Sequence, residues 1–102
     1  MPTFVTLIKF TQKGIEAIRE GPTRLDAVKR TYQAVGATLK GFYLTTGRYD
    51  AVAIIEAPDD ETAAGLSLAI ASRGNSRTET LRAFTEDEYR RIVAKLPKVD
   101  IP

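Results

Sequence analysis

Four consecutive residues near the middle of the chain, Gly47-Arg48-Tyr49-Asp50, carry the side chains best suited to chemistry. A carboxylate with a tuned pKa serves as a general base, and a phenol or guanidinium steadies a developing anion. Asp50 and Tyr49 are therefore the candidate catalytic pair, with Arg48, Tyr43 and Thr45 as candidate ligand-binding side chains. Lys9, Glu56 and Glu79 join them if their faces border a cavity. Such a group suits a small organic acid, or an aromatic ketone or phenol, with no metal or cofactor. The competing reading is structural. Gly47 gives a tight turn its backbone freedom, Asp50 accepts hydrogen bonds from turn N–H groups, Tyr49 packs on a neighbouring strand, and Arg48 is solvated or ion-paired. Adjacent strand residues point to opposite faces, so Tyr49 and Asp50 converge on one substrate only if the turn bends locally.

What the chain lacks narrows the chemistry. It has no Cys and no His. Disulfides, thiol nucleophiles, imidazole bases and most zinc or iron sites are therefore excluded. The acidic run Asp59-Asp60-Glu61 after Pro58 would suit a hard cation, but acids at a helix start meet unpaired N–H groups and the positive end of the dipole. No metal site is assigned to it. A net charge of +2 is too small to imply nucleic acid or a membrane surface. Arg73, Arg77, Arg82, Arg90 and Arg91 are interleaved with Glu79, Glu86, Asp87 and Glu88, and the sheet lacks the aromatic pairs that stack RNA bases. With 43% hydrophobic and 27% charged residues the composition is that of an ordinary globular domain. There is no bilayer-length apolar run and no signal-peptide pattern at Met1-Pro2-Thr3-Phe4, so a cytoplasmic address is expected.

The elements that must position these residues follow from periodicity. Thr3 to Phe10 and Ala51 to Glu56 read as strands that are apolar on both faces, hence covered on both. Thr11 caps a helix that Gly21-Pro22 divides, and Leu25, Val28, Tyr32 and Val35 make a buried stripe ending at Gly36. Thr38 to Thr45 is the second strand. A helix with many small residues follows Asp60, and Ser76 to Phe84 is polar enough for an edge strand. Thr85 and Glu88 have capping-box spacing before a helix with Tyr89, Ile92, Val93 and Leu96 on one face.

This order gives an α+β, ferredoxin-like βαββαβ antiparallel sheet in strand order 4-1-3-2, with helices on one face plus a C-terminal helix. Residues 1–97 form the domain and 98–102 a loose tail. The uncovered sheet face is a large apolar patch in a lone subunit, so a second copy is expected to cover it with two-fold symmetry. The last helix packs at an edge or reaches across to that neighbour.

The chain resembles the GYD-domain family. The resemblance rests on Gly47-Arg48-Tyr49-Asp50, in the family's Gly-x-Tyr-Asp form, with Ala51 to Glu56 and Ala57-Pro58-Asp59-Asp60 after it. The strings Phe4 to Thr11 and Arg77 to Thr85 are similar too, so it runs from Thr3 to Leu96. It implies a ferredoxin-like domain of the dimeric α/β-barrel kind and no particular activity. The expected function is a homo-oligomeric small-molecule-binding domain without metal or cofactor. The alternatives are a cofactor-free enzyme using Tyr49 and Asp50, and a purely structural or regulatory assembly module.

Overall fold

The computed structural model describes residues 1–101. Strand β1 spans Thr3–Phe10. Thr11 then caps the short helix α1, Gln12–Glu16, by accepting from the Gly14 N–H. A 3-10 turn over Ile18–Glu20 leads into α2, Gly21–Ala34, with Pro22 in its first turn. The expected break at Gly21-Pro22 is present, because proline suits a helix start and no later position. Gly36, at φ +76°, reverses the chain. β2 is Thr38–Leu44, β3 Ala51–Glu56, α3 Asp60–Ala71, β4 Ser76–Ala83 and α4 Glu86–Ala94. Asp59 caps α3 by accepting from the Thr62 N–H at 2.8 Å, which holds its carboxyl below the usual range. No helix or strand follows α4 as far as Ile101; Pro102, the last residue of the expected tail, lies outside the described residues.

The four strands form one antiparallel sheet in the order β2-β3-β1-β4. Both faces of its central strands are largely apolar. Toward the helices β3 presents Ala51, Ala53 and Ile55, all buried, and β1 presents Phe4, Thr6 and Ile8. Small residues there, with Ala37, Ala57 and Ala63 around them, let α2 and α3 approach closely, and Tyr32 and Leu66 fill the remaining space. Burial pushes the Tyr32 phenol up. The outward face is apolar too, with Val5 and Leu7 of β1 and Val52 and Ile54 of β3. Val35, expected in the buried stripe of α2, is 47% exposed instead. It lies one residue past the end of the helix, where the backbone has already turned toward Gly36.

Helix α4 makes no packed interface with the rest of the described chain. The molecule measures 55 × 31 × 20 Å, and its 16.3 Å radius of gyration exceeds the about 13 Å of a compact chain this long. A helix this short is marginal in water unless its ends are fixed. Thr85 and Glu88 form a complete capping box, and Arg90 pairs with Glu86 one turn back. Thr85→Ala should remove the cap, costing about 1 kcal/mol locally. Hydrogen exchange of the α4 amides should then rise about fivefold, while the global Tm stays put. The backbone N–H of Thr85 holds the Glu88 carboxyl low. A folded pKa below the unfolded value stabilises above the unfolded pKa and is lost as pH falls through the folded one. Helix α4 should therefore fray in acid before the sheet does.

Candidate functional site

The Gly47-Arg48-Tyr49-Asp50 segment closes the β2–β3 hairpin. Gly47 takes φ +119°, a left-handed conformation that favours glycine. Thr45 pins both ends of the turn: its N–H donates to the Asp50 carbonyl at 2.9 Å, and its hydroxyl donates to the Tyr49 carbonyl at 2.6 Å. Strand β2 ends at Leu44, one residue short of expectation, because Thr45 already belongs to this turn closure. Tyr49 and Asp50 then diverge. The Asp50 N–H donates to the Ile8 carbonyl at 2.8 Å, and its carboxylate accepts the Phe10 N–H at 2.8 Å. The side chain thereby extends the β3–β1 ladder one bond beyond the last paired residue. Its acceptor role is as the structural reading has it, but the donor lies on β1 and not in the turn.

Tyr49 reaches the outward sheet face instead. Its hydroxyl donates to the Glu79 carboxylate of β4 at 2.7 Å. Because β1 lies between β3 and β4, the tyrosine spans a whole strand. The hydrogen bond to Glu79 raises its phenol pKa, helped by desolvation and the negative charge and opposed by Arg48. A raised folded pKa stabilises the fold below the unfolded value and is lost as pH climbs through the raised one. In ultraviolet titration the Glu79→Ala protein should show one tyrosine ionising at lower pH than in the wild type, a transition that Tyr49→Phe removes.

The strand register arranges the outward face in rungs. One runs Gly41, Ile54, Val5, Leu81, and the next Tyr43, Val52, Leu7, Glu79. Polar residues bound them: Glu56, paired with Lys40 at 3.7 Å, at one end, and the cross-strand neighbours Lys9 and Arg77 at the other. An apolar centre with a charged rim is the anatomy of a protein interface. Of the sequence candidates, Tyr43, Tyr49, Lys9, Glu56 and Glu79 share this face. Asp50 serves the ladder, Thr45 closes the turn, and Arg48 is exposed at its tip without an ion pair among the described residues. Two shallow surface grooves lie elsewhere, one along α4 and one between α3 and β4. Neither is lined by the turn residues. Among the described residues no three acidic side chains cluster to hold a metal ion, and no helix is long and apolar enough to cross a membrane.

Residues 4–93 match the GYD domain, so the match includes the turn and all four strands. The chain belongs to the GYD-domain family. This GYD domain is 37% identical over 85 residues to the glutamine synthetase and cystathionine beta-lyase binding protein of Thermus thermophilus, covering 82% of this chain and 90% of that protein. It also resembles the crystal structure of TTHA0845 from Thermus thermophilus, with a TM-score of 0.54 at 28% identity, covering 83% of this chain and 95% of that one. The α+β ferredoxin-like fold of the GYD domain agrees with that likeness.

Proposed function

We propose that this GYD domain is a homo-oligomeric binding module whose outward sheet face is its working surface. One observation carries the reading: the central strands are apolar on both faces, and the face turned away from the helices carries Val5, Leu7, Val52 and Ile54. In a lone subunit that outward face leaves contiguous apolar surface against water, which supports its being covered by a partner. A second copy covers the apolar rungs, and the Lys9–Arg77 neighbours with the Tyr49–Glu79 pair line the margin of that interface. A small organic acid would meet two cations, Lys9 and Arg77, at this margin, beside a Tyr49 hydroxyl that already donates to Glu79. A cytoplasmic address belongs to the same proposal.

Sedimentation velocity at micromolar concentration tests it. The wild-type protein is expected to run as a dimer or larger, and Leu7→Glu, at the centre of the face, as a folded monomer. A wild-type monomer sinks the proposal. The name of the Thermus relative favours a second reading, in which the bound partner is an enzyme. Purified glutamine synthetase and cystathionine beta-lyase, immobilised separately, should then retain the wild-type chain and release Leu7→Glu. Retention of neither form would remove this second reading and leave self-association standing.

A further inference from the structure

The outward sheet face leaves a second apolar surface on the molecule unexplained. Tyr89, Ile92 and Val93 recur at helical spacing along α4, and Leu96, expected in the same stripe, lies two residues past the helix end at Ala94; they are 61, 45, 46 and 64% exposed. A helix of this length with a one-sided apolar stripe is stable only against something. Its own body is not available. Two residues, Phe84 and Thr85, connect it to β4, and the capping box fixes its entry. The Arg82 guanidinium locks the exit further. It stacks on the Phe84 ring at 4.4 Å, pairs with Glu88 at 3.9 Å and donates to the carbonyls of Thr3 and Ala83.

We propose that α4 packs antiparallel against α4 of a second copy, in an isologous contact separate from the sheet face. The sequence of the helix selects both the partner and the direction. The stripe, continued by Leu96 just beyond the helix end, is symmetric in sequence about Ile92 and Val93, so reversing one copy brings Tyr89 of each toward Leu96 of the other. The charges are polarised along the axis: Glu86, Asp87 and Glu88 occupy the first turn, while Arg91 and Lys95 follow the midpoint. Glu88, Arg91 and Lys95 line one shallow groove with Ile92 and Phe84, directly beside the stripe. Antiparallel packing sets the acidic end of each helix against the basic end of its partner and opposes the two helix dipoles. Parallel packing would set like charge on like. A self-complementary patch of this kind closes on a two-fold axis. The helix is about 14 Å long, so its contact is far smaller than the about 800 Å² per partner of a standard stable interface. It therefore joins units already formed through the sheet, or forms alone only at high concentration.

The chain has no native cysteine, which makes disulfide trapping a clean test. Under mild oxidation Val93→Cys is expected to form a covalent dimer that Asp87→Cys, on the far side of the helix, does not. Tyr89→Cys mixed with Leu96→Cys should link as a heterodimer in preference to either variant with itself. Circular dichroism confirms that each variant is folded. Self-linking of Tyr89→Cys in preference to the mixture would mean parallel packing and overturn the proposal. Preferred linking of Val93→Cys to a Leu7→Cys chain would put α4 on the partner's sheet and overturn it too, as would no Val93→Cys dimer beyond the Asp87→Cys background. The first and third outcomes are separate from the fate of the sheet interface, which Leu7→Glu reads independently by sedimentation; the second bears on both.

Discussion

Gly14→Ala is expected to lower the Tm by about 10 °C or more, the largest effect of a single methyl group anywhere in this chain. Gly14 is buried in α1, and a Cβ there would overlap the carbonyl oxygen of Asn75 and stand 3.0 Å from its carbonyl carbon. That carbonyl is backbone and cannot swing aside. Its oxygen also accepts the Thr11 N–H at 3.1 Å, while the Thr11 hydroxyl donates to Gly74 O at 2.6 Å and Lys13 Nζ to Arg73 O at 2.7 Å. These bonds stitch α1 to the loop that starts β4, so the clash displaces the whole seam. Overpacking that moves backbone costs about 3 kcal/mol or more. Gly65→Ala is the control: it lies inside α3 with nothing within 4 Å of the added carbon, and it should leave the Tm unchanged or raise it. Thermal unfolding followed by circular dichroism compares the two, and equal effects would refute the steric account.

Asp50→Ala should cost about 2 kcal/mol, because it strands the half-buried Phe10 N–H that the carboxylate now accepts. Asp50→Asn keeps an acceptor oxygen at the same place and should lose less than half as much. The contrast bears on function. If Asp50 were only a base, both variants would leave the Tm alone and abolish activity together. If it is the last rung of the β1–β3 ladder, stability falls in the order wild type, asparagine, alanine, and ligand affinity at the Tyr49–Glu79 margin follows stability.

The strand order was legible because the two central strands are the two without alternation, and right-handed crossovers leave them one arrangement. The helix ends were legible where a side chain does the capping: Thr11, Asp59 and Thr85 all accept the expected N–H. Tyr49 and Asp50 lie in the turn before β3, so strand alternation does not decide their directions; their hydrogen bonds do. The partners were not legible. Nothing in sequence places Glu79 within reach of Tyr49, since the two meet only after β4 crosses to the far side of β1. The Phe10 N–H is equally hidden, because a backbone donor leaves no residue-type signal. The detachment of α4 escaped for a different reason. Its stripe reads the same whether it covers its own sheet or a stranger, and only the locked two-residue exit at Arg82 decides.

The alanine row of β3 divides the molecule's freedom to change. Behind Ala51, Ala53 and Ala57 there is no slack, so any enlargement there pushes a helix off the sheet. On the opposite side Val5, Leu7, Val52 and Ile54 are only half-buried, and no helix packs over them. Descendants of such a chain can acquire new companions by altering a handful of outward positions while inheriting their scaffold intact.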